Sequence, residues 1–180
     1  ILVYGALVET KGILELLSIF KSRKLDNDVR IILAGKQFGK IKEFLTNDSH
    51  VNTLKKEKKI FILSNWISEK KEAQLFAATD IVWIGYKNYS HPSGVFYQAV
   101  QKSIPSLISK DGIIYNLNKK VKVGYSLNIY NSLNIIKAIT HLINNRNKRK
   151  YLKNILRFSK ISNPKRWVFS FKKAHPKLFS

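Results

Sequence analysis

The 180-residue sequence has no cysteine and no methionine, only four prolines and eight glycines, and no acidic residue after Asp111. Without cysteine there is neither a disulfide framework nor a thiolate metal site, and the chain is compatible with a reducing compartment. No signal peptide is visible, since the chain opens on Ile1 inside what reads as a strand, and the missing methionine points to a piece of a longer protein. Apolar runs such as IVWIGY and VRIILAG fall far short of the roughly 20 residues that a membrane-spanning helix requires. The shortage of acid is uneven. Up to Asp111 there are 17 basic and 11 acidic side chains, a net +6; beyond it there are 16 basic side chains and none acidic. A field of that sign attracts phosphates, nucleic acid or an anionic membrane surface. The chain is also rich in Lys, Asn and Ile together, a bias that an AT-rich genome produces unselected, so both explanations of the charge stay open.

What is present describes a folded domain. Hydrophobic residues make up 44% of the chain and aromatic residues 12%, and the length suits one domain with a real core. Short apolar, β-branched runs alternate with longer amphipathic ones. Strands are read at 1–5, 29–35, 59–65, 80–86 and 105–109, with VKVGYSL as a sixth. Helices are read at 11–23, where Ile13, Leu16, Leu17 and Phe20 share a face, and from about Ile41 to Lys55. Another is capped by Ser68, with Glu69 and Glu72 beside the positive end of its dipole. One begins near Ser93, and SLNIIKAITHLINN and KRKYLKNILRFSK supply two more. Asn163-Pro164 breaks the chain before a final helical pattern, KRWVFSFKKAH. Strands apolar on both faces and separated by helices predict an α/β fold, a Rossmann-like parallel sheet of about six strands with helices on both faces and a helical tail at about 160–180.

In such a sheet, ligands bind beyond the carboxyl ends of the strands. Three loops there carry candidate chemistry. YGALVETKG leaves the first strand at Gly5 and places Lys11 beside a helix start, where an ammonium next to unpaired amides suits a phosphate. A solvated surface lysine is the plainer alternative. YKNYSHPSGVF offers Ser93 as N-cap and Gly94, with no Cβ to hold a ligand off the backbone, so that the amides of Gly94, Val95 and Phe96 face outward. The plainer alternative is a capped helix and nothing more. LSNWISEK puts Trp66 just past the third strand, free to stack on a nucleobase or to pack on the following helix. The histidines His50, His91, His141 and His175 have no ligand spacing, so no metal is expected, and no Ser-His-Asp set, Walker loop or GxGxxG is present. His91 is the histidine nearest the phosphate loop.

Taken in order, these segments resemble the C-terminal, donor-binding domain of a GT-B fold glycosyltransferase, most like the retaining family 4. YGALVETKGILELL resembles the family's G-R-x-x-x-x-K-G-x-x-x-L segment, and VRIILAG its next strand and glycine. IFILSNWISEKKEAQLFAATDIVWIGY resembles the strand–helix–strand that ends in Ala-Asp, and SGVFYQAVQKSIPSLIS the E-x7-E helix and its following strand. The resemblance implies a nucleotide-sugar donor, a glycan or lipid-linked acceptor, and no metal or other cofactor, lysine and the helix dipole stabilising the departing diphosphate. It implies diphosphate contacts at Gly5, Lys11, Ser93, Gly94 and Val95, ribose and base contacts at Trp66, Ile67 and Gln98, and sugar-facing positions at Ser90 and His91. It also implies an acceptor domain N-terminal to Ile1, a tail crossing back to it, and an isolated chain that is inactive. The chain departs from the pattern where Ala6 replaces an arginine, where Ser90 and Gln98 replace the two glutamates, and where Ile104 replaces a glycine. Two other functions remain: a catalytically degenerate binding module of the same fold, and a basic domain docked on an anionic membrane. A cytoplasmic protein at the inner membrane face is expected. Nucleic acid is the least favoured partner, since no recognition motif accompanies the charge.

Overall fold

The computed structural model describes residues 1–22 and 24–163. Six strands form one sheet: β1 (Leu2–Tyr4), β2 (Ile31–Ala34), β3 (Ile60–Leu63), β4 (Val82–Ile84), β5 (Ser106–Ser109) and β6 (Gly124–Leu127). The order across it is β3-β2-β1-β4-β5-β6, and every neighbouring pair is parallel. The α/β, doubly wound fold read from the sequence is the one observed.

The connections are α1 (Ile13–Leu17), α2 (Gly39–Asn47), α3 (Ser49–Lys56), α4 (Glu69–Ala77), α5 (Gly94–Gln101) and α6 (Gly112–Val121), followed by α7 (Ser132–Ile143) and α8 (Asn145–Ile161). Alternate strand residues feed opposite faces. Val3, Leu33, Trp83 and Leu107 enter one core with Leu16, Leu45 and Ile139. Leu2, Ala34, Val82, Ile84 and Ile108 enter the other with Phe76, Phe96 and Ile155. Two buried faces explain why the inner strands read as unbroken apolar runs, while Phe61 on the edge strand β3 is 46% exposed.

Three local readings are corrected. The single helix over 11–23 is a 3-10 turn (Glu9–Lys11), the short α1, and a second 3-10 turn (Ser18–Lys21). Gly12 makes the break: it is left-handed at φ 62°, and a Cβ there would run into Gly85 O. The pattern over 41–55 is two helices, because Asp48 leaves the helical region and its Oδ1 accepts from Val51 N at 2.9 Å; a short polar side chain has outcompeted the helical ladder. Helix α6 was not anticipated. Its buried face includes a polar residue, Asn118, which blurs the apolar period. The last helical pattern, 165–175, and most of the anticipated tail lie outside the described residues.

The strand order reverses between β1 and β4. Loops leaving these two strands turn to opposite faces and open a crevice at their carboxyl ends. The β1 loop carries Gly5 to Lys11, and the β4 loop leads to Ser93 and Gly94.

Candidate functional site

The β1 loop is held from below. Trp83 on β4, only 1% exposed, donates from its indole Nε1 to the Lys11 carbonyl at 2.7 Å. Lys87 N donates to Thr10 O at 2.7 Å, and Lys87 Nζ pairs with Glu15 Oε1 at 2.9 Å. These bonds stitch the β1 loop to β4 and the segment that follows it. Lys11 is half-buried; its Nζ donates to the Tyr4 carbonyl and sits 5.6 Å from the centre of the Tyr86 ring. Burial lowers the Lys11 ammonium to about 8, from an ordinary 10.5. It is not a freely solvated surface lysine.

Helix α5 starts where the sequence places it. Ser93, buried, accepts at Oγ from Phe96 N at 3.2 Å and meets Tyr86 Oη at 3.1 Å. The Phe96 amide is therefore spent on the cap, which corrects the reading that three amides face outward. The amides of Gly94 and Val95 keep no partner among the described residues. Space above Gly94 is open: a Cβ there would meet nothing within 4 Å. The two loops converge at Gly5, whose hypothetical Cβ would lie 3.3 Å from Lys11 Nζ and 3.9 Å from a Val95 methyl. Gly5 itself has φ 87°. An ammonium, a helix N-terminus and a bare stretch of backbone thus share one corner, which is what an anionic group of two phosphates needs.

From that corner a cleft of about 750 Å³ extends along the carboxyl ends of β1, β2 and β3. Tyr4, Gly5, Ala6, Lys36, Trp66 and Glu72 are among the residues lining it, and Ile67 contributes to its far end. Trp66 is 93% exposed, so its ring is free to stack and does not pack on α4. Ala6, at the position of the family arginine, leaves that part of the wall without a charge, while Lys36 supplies an ammonium to the same cleft. Gln98 reaches the cleft wall indirectly, donating from Nε2 to Glu72 Oε1 at 3.3 Å. Ser90 and His91 are exposed, and neither is among the residues lining this cleft; His91 stacks edge-on against Tyr89. Ile104, in place of glycine, is buried without strain, because the left-handed residue of that turn is Ser103 at φ 59°.

Sequence reasoning missed Tyr4, Tyr86, Lys36 and the role of Glu72. Tyr4 ends β1 and Lys36 follows β2, so position at a strand's carboxyl end was the usable signal. Glu72 was assigned to the α4 dipole, and its direction is a tertiary fact. Among the described residues, no three His, Cys, Asp or Glu side chains converge to hold a metal.

A Rossmann-like parallel sheet, with an ammonium, a helix N-terminus and an open cleft at its switch point, defines the class: an α/β domain of the doubly wound type. The family described as Glycosyl transferases group 1 matches residues 1–157, and the chain belongs to it. Several solved structures share its fold. The C-terminal domain of the group 1 glycosyl transferase LpcC from Francisella tularensis is 16% identical, with a TM-score of 0.69 over 89% of this chain and 84% of that one. HepE from Anabaena, solved with UDP, is 18% identical, with a TM-score of 0.68 over 86% of this chain and 43% of HepE. A UDP-forming trehalose-phosphate synthase from Burkholderia vietnamiensis is 12% identical, with a TM-score of 0.65 over 98% of this chain and 44% of the enzyme. The chain thus spans less than half the length of these last two proteins. No curated protein sequence matches it significantly.

Proposed function

We propose that this chain is the donor-binding half of a retaining, metal-independent glycosyltransferase of the family 4 type. It holds a nucleoside-diphosphate sugar while the sugar passes to a glycan or lipid-linked acceptor. The observation that carries this reading is the meeting of Lys11 Nζ and the start of α5 at Gly5, at the switch point of the sheet. There the ammonium and the Gly94 and Val95 amides take up the negative charge that develops on the departing diphosphate, in a site already organised before substrate arrives. Trp66 and Ile67 receive the base. HepE, solved with UDP, supports a nucleoside diphosphate as the ligand class. The acceptor is held by a second domain preceding Ile1, so the chain alone transfers no sugar.

Calorimetric titration with UDP, GDP and ADP tests the reading. Saturable binding is expected for at least one of them, weakened about tenfold or more in Lys11→Ala, the loss of a charge-assisted hydrogen bond. Silence toward all three overturns it and favours a degenerate module, for which Ala6, Ser90 and Gln98 are the motivating substitutions.

A second property rests on α8. Its outer face carries Arg149, Lys150, Lys153 and Arg157, with Leu156 53% exposed among them and Ile161 66% exposed at its end. No helix among the described residues is long and apolar enough to cross a membrane. A basic face with apolar residues at its centre suits peripheral contact with an anionic bilayer, which would place the protein at the cytoplasmic side of the inner membrane.

A further inference from the structure

Glu72 stands in the cleft wall, one turn into α4, and its carboxylate is held from two sides. Tyr4 Oη donates to Oε2 at 2.5 Å, and Gln98 Nε2 donates to Oε1 at 3.3 Å. An ionised carboxylate only accepts, so the Gln98 carboxamide must turn its nitrogen toward Glu72. The Tyr4 phenol keeps its proton, held up to about 12 by burial and then by the hydrogen bond and charge of Glu72. Both donors are therefore fixed in direction. Two carboxylate oxygens offer about four acceptor sites, and these bonds use two of them. The remainder are available to whatever occupies the cleft.

A carboxylate beside a phosphate corner repels an anion unless it meets donor groups on the ligand. Adjacent hydroxyls on a sugar ring are such groups, since a vicinal diol presents two O–H donors to one carboxylate. The placement fits. Gln98 follows Val95 by one helical turn on α5, so the Glu72–Gln98 pair lies one step along from the corner where Val95 and Lys11 meet Gly5. Trp66 and Ile67 line the same cleft. The Gly5 corner, the Glu72 carboxylate and an exposed indole thus share one cleft, and these are the three kinds of contact that the diphosphate, ribose and base of a nucleoside diphosphate require. Resting on the donor-binding reading above, we infer that Glu72 binds the ribose diol, a carboxylate on α4 supplying the charge that Gln98 on α5 lacks. Tyr4 and Gln98 are positioning residues that aim it.

The test is calorimetric titration of the full chain and its E72Q, Y4F and K11A variants with UDP, 2′-deoxy-UDP and 3′-deoxy-UDP, or with the corresponding GDP or ADP series if one of those binds better. Unfolding curves accompany each variant. The unaltered chain should prefer the ribonucleotide over a deoxy form by about tenfold or more, as expected for a hydroxyl donated to a charged acceptor. E72Q should bind the ribonucleotide about ten- to a hundredfold more weakly and each deoxy form, which keeps one hydroxyl, less so, so that the ratio falls toward one. K11A should weaken ribo and deoxy forms alike and leave the ratio unchanged. Y4F, which keeps the carboxylate but unhooks it, should fall between, and it carries the same readout if E72Q does not fold. Preference unchanged in the folded Glu72 or Tyr4 variant, or no ribose preference in the unaltered chain, overturns the role of Glu72 and leaves donor binding standing. Absence of saturable binding to UDP, GDP and ADP overturns both.

Discussion

Lys11 holds an ammonium half-buried beside Gly5, a residue of the cleft wall, and its surroundings decide its behaviour. Folded, it gives up its proton near pH 8; unfolded, it keeps it to about 10.5. Between those values the unfolded chain binds more protons, so the contribution of Lys11 to stability rises with pH across that window. Diphosphate binding has the opposite sign, because it favours the ammonium. Affinity for the best-bound nucleoside diphosphate should fall as pH rises through about 8, by up to about tenfold per pH unit. Calorimetry from about pH 6.5 to about pH 9.5 would show that slope, and Lys11→Met should flatten it along with most of the affinity. Gly94 separates a ligand site from a plain helix start. A Cβ there meets no protein atom, and alanine favours a helix over glycine by about 1 kcal/mol, so Gly94→Ala should leave the melting temperature unchanged or slightly raised. The same methyl stands over the bare amides and should weaken nucleotide binding about tenfold. A variant that binds as before would mean those amides face no ligand.

Some elements hold the fold without touching the site. Helix α6 and strand β6 are joined through Asn118, whose Nδ2 donates to Gly124 O at 2.8 Å and Ser126 Oγ at 2.9 Å. Its Oδ1 accepts from Val123 N and Gly124 N, each at 3.0 Å. All four bonds are local to one turn of chain, and Asn118 is buried. Asn118→Ala leaves buried backbone groups unpaired and should cost about 3 kcal/mol in urea unfolding, with nucleotide affinity unchanged once folded. This element was illegible in the sequence for the same reason: a polar residue at a core position breaks the apolar period that marks a helix. The split at Asp48 and the short α1 were hidden similarly, by a side-chain cap and a left-handed glycine whose effects are conformational rather than periodic. The turn at Gly5 and the helix start at Ser93-Gly94, by contrast, were legible, since glycine marks special backbone and serine a helix N-cap, whereas the half-burial of Lys11 was not.

Charge acts on the whole molecule. Beyond Asp111 there is no acid to balance the basic residues, and α8 gathers several of them on one exposed face around Leu156. Flotation with vesicles containing about 30% anionic lipid should capture the protein at low salt and release it as ionic strength rises and the field is screened beyond about 10 Å. Replacing Arg149, Lys150 and Lys153 with glutamate should abolish capture while nucleotide binding persists. Binding to neutral vesicles, or binding indifferent to salt, would exclude a charge-driven contact.

The sequence by itself determined the fold class, because β-branched runs too apolar for a half-exposed strand can only be buried on both faces of a parallel sheet. It also determined the charge asymmetry, the turn at Gly5 and the cap at Ser93, which local conformation dictates. Only the tertiary structure decided that those loops meet at Gly5, that Trp66 stands free, and that Glu72 turns into the cleft between Tyr4 and Gln98. These facts follow from the strand order and from which distant side chains share a buried face. They are settled by long-range packing, between residues 72 positions apart for Trp83 and Lys11 and farther apart still for Gly5 and Val95, and no local pattern encodes that.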